Sequence, residues 1–600
     1  MPHLGIFIST GVETLAIAIR QNKNIKGINV RRKEIKISQL ADDTSIFIKD
    51  HQSLPIILDL LHKFQQVSGL KTNIDKTQAF LIGKHMRFKD TYNLKWNTGP
   101  IKLLGISICN TEQENFTYNF EHKIKQINSL LNIWKQRRLS IKGKITIINS
   151  LAASLLVYPC TCLETPEKVV VQTNKLFLDF LWDNGSSKIS KSTIIKPITE
   201  GGLKMIDFET KVNSLKLSWI LRALTNPEST WNLIISEMLN KIPFDYILRC
   251  RSNCTHLLSK IPAFYRNIYK TWLAFQFPTP INKSNIMQEN LWLNKYITIE
   301  NKPIIWVKWL EKGILFIDDL LEPNGQFLSQ TQLKLKYNIS CNFIEHLQIR
   351  QAIPIAWREK LTTSTDNTTL DQRQHLPLFI QIDDKPHNFV KLSSKFLYWT
   401  LIRNITYKHT PNCIRRWEET YNINPICWPQ IFQIPFQSCR DTYLQSFQYR
   451  IIHRILPCNN WLYKLKVIDT KVCTFQYCTD TNSPIDNIRH YFLECPPANQ
   501  FWNSFVTWWN TLNYLKLCPL VEENILLGFM GNTFEDTALN FCLILGKYFI
   551  YNCKRNQSDI FFINYLRTLK SKLIIEEEIH TRNLTLKKFD LTWRYLLESL

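Results

Sequence analysis

The sequence predicts an α+β fold for the first hundred residues and a predominantly α-helical fold for the rest. Short stretches that alternate apolar and polar residues, as half-buried strands do, occur in the first hundred residues. Longer segments after them repeat their apolar residues at helical spacing, which indicates amphipathic helices. Glycine accounts for only 16 of the 600 residues, which excludes collagen-like and glycine-linker architectures.

The length and composition predict several folded domains inside the cell. The 600 residues exceed the ~250–300 at which one hydrophobic core stops growing. The 16 cysteines lack the dense pairing of a secreted disulfide scaffold, so we expect a reducing compartment, the nucleus or the cytoplasm. No apolar run approaches the ~18 residues of a spanning helix, and no signal-peptide pattern opens the chain, so we expect no membrane partner.

The charge balance favours a polyanionic partner. The chain carries 74 Lys/Arg against 50 Asp/Glu, a net charge of +24, and residues 1–150 alone contribute +12 from 23 basic and 11 acidic residues. Lysine and arginine docked on phosphates release condensed counterions, which drives nucleic-acid binding. The alternative is a solvated basic surface without a specific partner. The P-loop, G-x-G-x-x-G, G-x-S-x-G and H-E-x-x-H patterns are absent, which removes the commonest nucleotide and hydrolase sites.

Residues 34–49 predict a β-hairpin. Ile35 and Ile37 alternate with polar residues, residues 45–48 form a second β-prone run, and Asp42, Asp43 and Thr44 suit the turn between them. Two adjacent carboxylates at a hairpin tip can hold a divalent metal through oxygen ligands. The alternative is a plain turn that contains aspartate.

The next segments predict a helix and short strands. Residues 53–67 place Ile57, Leu60, Leu61, Phe64 and Val67 on one helical face. Ser53 can cap the start of this helix and Gly69 its end. Strands are expected at residues 77–82, after Lys76, and at residues 101–108.

Several of these motifs, in this order, resemble the reverse transcriptases of LINE-type (non-LTR) retrotransposons. LADDT (40–44), SGLKTNIDKTQAFLIG (68–83) and IKLLGISI (101–108) resemble three consecutive palm motifs, and residues 12–28 resemble the helix before the metal-binding hairpin. Residues 134–159 resemble the thumb, and residues 180–208 resemble the segment after it. The resemblance covers about residues 12–220 and 455–510.

The resemblance implies an RNA-directed DNA polymerase that extends a DNA primer on an RNA template. Asp42 and Asp43 would hold Mg²⁺ for two-metal phosphoryl transfer. Lys76 would lie near the nucleotide phosphates as a proton donor. The predicted fold is then a truncated right-hand polymerase palm followed by a helical thumb.

The chain also departs from the family pattern. A further catalytic aspartate comes from a strand upstream of the hairpin in this family, whereas the only acids before Asp42 are Glu13 and Glu34. Leu40 stands where the family usually has an aromatic residue. We therefore expect a truncated form that cannot polymerise alone. The alternative is a non-catalytic nucleic-acid-binding remnant that uses the thumb and a C-terminal Cys/His segment.

The thumb-like region has a basic connection between two amphipathic helices. Residues 124–134 and 145–155 have helical apolar faces, and five of the ten residues from 135 to 144 are basic. Such an elbow can follow the phosphates of a duplex by shape and charge. The alternative is a solvated helix connection. The candidate nucleic-acid-binding residues are Lys135, Arg137, Arg138, Lys142 and Lys144.

A second group of potential metal ligands lies near the C-terminus. Cys473, Cys478, His490 and Cys495 fall within 23 residues, and three thiolates with one imidazole suit structural, four-coordinate Zn²⁺. The alternative is buried free cysteines that pack as small hydrophobes. The surrounding residues resemble the Cys/His segment that closes many LINE-type reverse transcriptases. Four protein ligands leave no open position for catalysis.

The sequence divides into five predicted regions. Between the thumb and the Cys/His segment, Trp-rich and Phe-rich stretches indicate a helical connector with aromatic residues in its core, and polar residues 362–374 indicate a loop. The regions are a partial palm (1–115), a thumb-like domain (116–210), the connector (211–440), a zinc-knuckle-like segment (441–515) and a C-terminal helical region (516–600).

Overall fold

The structure is a computed structural model and is mostly helical. It describes the whole chain except residues 1, 31–32, 41–42, 74, 83–93, 98, 240–241, 243, 251–252, 255–257, 260, 364–377, 422–426, 476–477, 479–483 and 513–519.

The chain forms two compact units, and each is assembled from three separate segments. The first unit contains Met1–Lys123, Val157–Val169 and Glu209–Thr400. The second contains Ile124–Leu156, Val170–Phe208 and Leu401–Leu600. The five regions expected from the sequence are contiguous stretches and remain a prediction.

All strands of the described residues belong to two-stranded sheets, and the pairs lie in the first unit. Only Gln78–Phe80 and Lys95–Asn97 pair in parallel. The antiparallel pairs are Ile28–Val30 with Lys33–Ile35, Ile37–Leu40 with Asp43–Ile46, Ile101–Leu103 with Ile106–Ile108, Thr298–Ile299 with Lys302–Pro303, and Phe379–Ile382 with Lys385–Asn388.

The two predicted hairpin strands are present, and the second begins earlier than expected. Ile37 pairs with Ile46 and Leu40 with Asp43, so Asp43 and Thr44 belong to a strand rather than to the turn. The register places Ile37 in a small core with the helices Pro2–Gln21 and Ser53–Ser68. A slip of one residue would turn Ile37 to solvent, so this apolar contact fixes the register.

The helix Ser53–Ser68 matches the prediction at its end and differs at its start. Gly69 is the C-cap with φ 72°. Ser53 does not cap the helix, since it is buried and its hydroxyl donates to Asp50 Oδ1. Asp50 Oδ1 also accepts from the Ser53 backbone N–H and so takes the capping role. Val67 is exposed rather than on the apolar face.

The expected strand at residues 101–108 is folded into a tight hairpin. Leu104 and Gly105 have φ values of 48° and 84°, which reverse the chain between its two strands. Glycine adopts a positive φ without steric cost. Gly105 therefore allows the chain to reverse within a run of apolar residues that, by its pattern, predicts a single strand.

The rest of the first unit is helical, as expected for the connector. Its indole-rich stretches are core: Trp272 and Trp292 are almost fully buried. The predicted loop at residues 362–374 lies mainly outside the described residues. The helices of residues 230–391 are Thr230–Met238, Phe244–Arg249, Ala263–Trp272, Lys283–Met287, Val307–Leu310, Ile317–Leu320, Gln330–Tyr337, Phe343–Ala352, Ile355–Thr363 and Phe389–Lys391.

The second unit packs around the long helix Phe534–Arg555. Thr533 and Asp536 form a capping box at its start, and its apolar residues join one large core with the surrounding helices. The unit's helices are Ile141–Ile147, Ile148–Ala152, Lys191–Ile194, Ile198–Glu200, Asn412–Glu418, Trp428–Ser438, Thr442–Ile452, Asn459–Lys464, His490–Glu494, Pro496–Thr511, Glu522–Leu527, Phe562–Arg582, Leu586–Phe589, Asp590–Arg594 and Tyr595–Ser599.

The remaining helices carry the chain from one unit to the other. They are Glu112–Phe116, which continues through Thr117–Glu121 into His122–Lys135, and Ser154–Cys162, Glu167–Leu181, Phe208–Thr225 and Ser394–Thr406. Among the described helices, none alone has the length and hydropathy to cross a bilayer, although the bent pair Ile141–Ala152 and Ser154–Cys162 meets that criterion jointly.

Candidate metal centre

The second unit brings the four predicted metal ligands together in its interior. One potential ligand atom from each of Cys473, Cys478, His490 and Cys495 lies within 4.8 Å of the others. All four side chains are at most 3% exposed. Cys478 Sγ is 3.5 Å from Cys495 Sγ and 3.6 Å from His490 Nε2.

Local backbone structure explains this convergence. Val472 and Ile485 form an antiparallel bridge, and the Cys473 N–H donates to Pro484 O, so the two ends of residues 472–485 meet. A single π-helical turn, His490–Glu494, follows, and Cys495 N–H donates to His490 O across it. This wide turn closes the chain on itself between the last two ligands.

Cys495 also begins the next helix. It is the N-cap of Pro496–Thr511 and is followed by proline at the first helical position, where the missing N–H has no consequence. The positive end of the helix dipole therefore lies at a thiol that must ionise to bind metal. The sulfur is thus placed by the helix start as well as by the π-helical turn.

The thiols differ in how readily they ionise. A hydrogen bond between Cys473 and Cys495 lowers the pKa of Cys495 and raises the pKa of Cys473 to about 12. Burial raises the pKa of Cys478. Cys495 is therefore the thiol whose ionisation the fold favours most, and a bound cation would favour ionisation of the other two.

The arrangement fits a structural metal ion such as Zn²⁺. Bonds of ~2.3 Å to sulfur and ~2.0–2.1 Å to nitrogen in a tetrahedron place ligand atoms ~3.5–3.8 Å apart, which matches the Cys478 distances. The overall spread is somewhat wider than the ~4 Å expected for four bound ligands. Because the protein can supply four ligands, the ion would stabilise the fold and would leave no position for a reacting water.

The five basic residues of the elbow do not share one environment. Arg137 and Arg138 are exposed, and the Arg137 guanidinium stacks on the Trp134 ring with a 5.1 Å separation. Tyr443 donates from its hydroxyl to Arg138 O at 2.8 Å, which fixes a residue with φ 43°. The backbone thereby holds two adjacent guanidinium groups at the surface of the second unit. Lys135 is half-buried.

The other two elbow lysines point inward. Lys142 Nζ donates to Gln445 Oε1 at 2.8 Å, and burial lowers its pKa. Lys144 is 7% exposed, and its Nζ contacts Asp183 Oδ1 at 2.7 Å. Each lysine connects the thumb-like segment with another part of the second unit.

The palm residues are described only in part. Asp42 lies outside the described residues, Asp43 is exposed at the start of its strand, and Lys76 is exposed. Among the described residues, the Cys/His group alone gathers three or more potential metal ligands. Glu13 pairs with Arg20 at 2.6 Å, and Glu34 accepts from the Gly27 N–H, so both upstream acids have partners.

One residue beside the metal ligands carried no signal in the sequence. Lys554 lies on the helix Phe534–Arg555, nearly sixty residues after Cys495, yet its ammonium contacts the Tyr491 ring at 4.4 Å and the Phe475 ring at 5.8 Å. These rings neighbour the ligands in the chain. Only the tertiary fold brings Lys554 there, since no local spacing links it to the Cys/His segment.

Comparison with known proteins supports a retrotransposon-related family. No protein-family model matches the chain. The transposon TX1 uncharacterized 149 kDa protein of Xenopus laevis is 25% identical over 288 residues, 45% of this chain and 21% of that protein. A putative ribonuclease H protein of Arabidopsis thaliana is 23% identical over 125 residues, 20% of each chain. The chain thus spans about a fifth of the length of these curated relatives.

Proposed function

We propose that this chain is a retrotransposon-derived protein that binds nucleic acid and holds a structural Zn²⁺ through Cys473, Cys478, His490 and Cys495. The observation that supports the zinc site is the convergence of four buried ligand atoms. The net charge of +24 supports a nucleic-acid partner. The similarity to a transposon protein is consistent with both.

The nucleic-acid contact is proposed at the exposed guanidinium pair Arg137 and Arg138. Both side chains face solvent, and Tyr443 holds the backbone between them and the next helix. Lys142 and Lys144 contribute to this surface indirectly, because their ammonium groups tie the elbow to Gln445 and Asp183. Arginine recognises phosphate through paired donors, and contacts to phosphate carry no sequence preference of their own.

The test is the salt dependence of binding to a fluorescently labelled RNA–DNA duplex of fixed length. We expect Arg137→Glu/Arg138→Glu to weaken binding. The slope of log affinity against log salt should become shallower by about 2, the equivalent of roughly two lost phosphate contacts. The control is Lys587→Glu/Lys588→Glu, which changes net charge equally on the exposed helix start at Leu586–Phe589. Equal losses in both double variants would contradict a localised contact at the elbow.

A second candidate function is RNA-directed DNA synthesis with Mg²⁺ at Asp42 and Asp43. The observation that favours it is the antiparallel hairpin, whose register pairs Leu40 with Asp43 at the end of the two strands. Lys76, exposed before the strand Gln78–Phe80, would then face the nucleotide phosphates. Two metals are required for this chemistry, and Glu13 and Glu34 upstream of the hairpin both have partners, Arg20 and the Gly27 N–H.

Primer extension on an RNA template separates the two candidates. We expect the chain to bind the template–primer without extending it. Asp43→Asn is the matched variant, and Asp59→Asn is the control, since Asp59 is exposed and paired with Lys63 on a neighbouring helix. DNA synthesis that Asp43→Asn abolishes and Asp59→Asn preserves would establish the polymerase instead.

A further inference from the structure

Lys554 is a buried cation without an oxygen or nitrogen acceptor among the described residues. Its side chain is 6% exposed, and its Nζ reaches no such acceptor there. The ammonium forms no ion pair in that part of the chain either. Asp486, a buried acid whose Oδ1 is also unpartnered, has its pKa raised by burial, and Lys554 opposes that shift only in part. An uncompensated buried charge is costly, so the position calls for an anionic partner.

The surroundings of Lys554 identify where that partner lies. The ammonium sits over the rings of Tyr491, next to His490, and of Phe475, between the first two cysteines. Both rings neighbour candidate ligands in the chain, so the ammonium lies beside the Cys/His group.

Charge counting then connects Lys554 with the metal ligands. Three thiolates and a neutral imidazole around a divalent ion carry a net charge of −1. Glu494, whose carboxylate lies 4.0 Å from His490 Nδ1, is exposed and contacts Arg489 at 3.2 Å, so it is compensated separately. We propose that Lys554 is the counter-cation of an anionic Cys₃His–metal centre and thereby a determinant of its metal affinity. This inference rests on the proposed zinc centre.

A second lysine on the same helix provides a comparison. Lys547 is fully buried as well, seven residues earlier on Phe534–Arg555, but its Nζ donates to Leu526 O at 3.0 Å. Its ammonium therefore has a partner in the fold and does not require the metal centre. Both lysines are buried on this helix, but only Lys547 has a backbone oxygen of the described residues as its acceptor.

The experiment compares zinc affinities of the full chain by competition with a chromophoric chelator. We expect Lys554→Met and Lys554→Gln to bind Zn²⁺ about 10–100-fold more weakly than the wild type. Lys547→Met, the matched control, should bind no more weakly than the wild type. The zinc-free Lys554→Met chain should melt at a higher temperature than the zinc-free wild type, because an unpaired buried charge has been removed.

Lys554→Met should thus lower the zinc affinity and raise the melting temperature of the zinc-free chain. A purely structural role of Lys554 would not produce these opposite changes. Unchanged zinc affinity in both Lys554 variants, with a wild type that binds one equivalent, would overturn this role and leave the metal centre standing. A zinc-free Lys554→Met chain that is less stable than the wild type would also overturn it. A wild type that binds no zinc would overturn the metal centre and this inference together.

Discussion

At the scale of single residues, Cys495 has two structural roles, since it is a candidate metal ligand and the N-cap of Pro496–Thr511. We expect Cys495→Ser to lose most of the bound zinc and to destabilise the second unit by on the order of a few kcal/mol. Elemental analysis and thermal unfolding measure both effects. Cys542→Ser, at another buried thiol of the same core, is the control and should keep its zinc; equal metal content in the two variants would contradict the assignment.

The burial of Lys547 predicts that the stability of the chain depends on pH. Burial lowers its pKa to about 7, against ~10.5 in the unfolded chain. Between these values the unfolded state binds a proton that the folded state lacks, so this residue's penalty grows as pH falls from ~10.5 to 7 and is constant below. Lys547→Met should raise stability at pH 7 and reduce the rise in unfolding free energy by up to ~1.4 kcal/mol per pH unit between pH 7 and 10.

Denaturant unfolding at pH 7 and pH 9 checks this expectation, with Lys554→Met as a second buried lysine variant on the same helix. Lys547 and the Cys439 thiol influence each other electrostatically, so the difference between the wild type and the Lys547 variant reports on Lys547 together with its effect on Cys439. Parallel stability curves for these two chains would show that Lys547 stays protonated in the folded state.

Single residues also show what sequence alone can and cannot predict. The Cys/His spacing predicted a group of residues that the fold does gather, because thiols and imidazole have few other reasons to cluster within 23 residues. The elbow lysines could not be sorted in this way, since Lys142 and Arg137 look equivalent in a basic run. What separates them is Gln445, about 300 residues away, which accepts from Lys142.

At the scale of elements, the Gly201-Gly202 pair shapes the chain after the short helix Ile198–Glu200. Gly201 has φ 82°, and its carbonyl accepts from the Tyr449 hydroxyl at 3.0 Å. A Cβ on Gly202 would overlap the carbonyl oxygens of Lys196 and Thr193. These are backbone atoms that cannot rotate away, so the close approach is specific to glycine.

We therefore expect Gly202→Ala to destabilise the second unit by ~1–3 kcal/mol. The control is Gly99→Ala, where an added Cβ would meet nothing within 4 Å, and its effect should be small. Denaturant midpoints of the two variants provide the comparison. A Gly202→Ala chain as stable as Gly99→Ala would mean that the backbone around Lys196 relaxes at little cost.

Elements were predicted best where one local signal decided them. Apolar spacing and Gly69 identified the helix Ser53–Ser68, and alternation identified the hairpin strands. Predictions failed where a competing contact decided: Ser53 bonds Asp50 instead of capping, and a turn at Leu104 and Gly105 divides an apolar run. A local pattern does not show which of two allowed partners a side chain will choose.

At the scale of the whole molecule, the candidate metal centre and its surrounding core belong to the second unit. Removing zinc with a high-affinity chelator should therefore accelerate amide hydrogen exchange in residues 471–495 and the adjoining helices. Peptides of the first unit, such as Phe343–Ala352, should exchange at unchanged rates. Equal acceleration in both units would show that the metal supports the entire chain.

The assembly of each unit from separated segments has a consequence for protein synthesis. Ile124–Leu156 leaves the ribosome long before Leu401–Leu600, with which it shares a unit. At ~5–20 residues per second, the roughly 250 intervening residues take roughly 10–50 s to translate. Throughout that interval the early helices can pack only against Val170–Phe208, the other early segment of their unit, and the rest of their apolar surface waits for Leu401–Leu600.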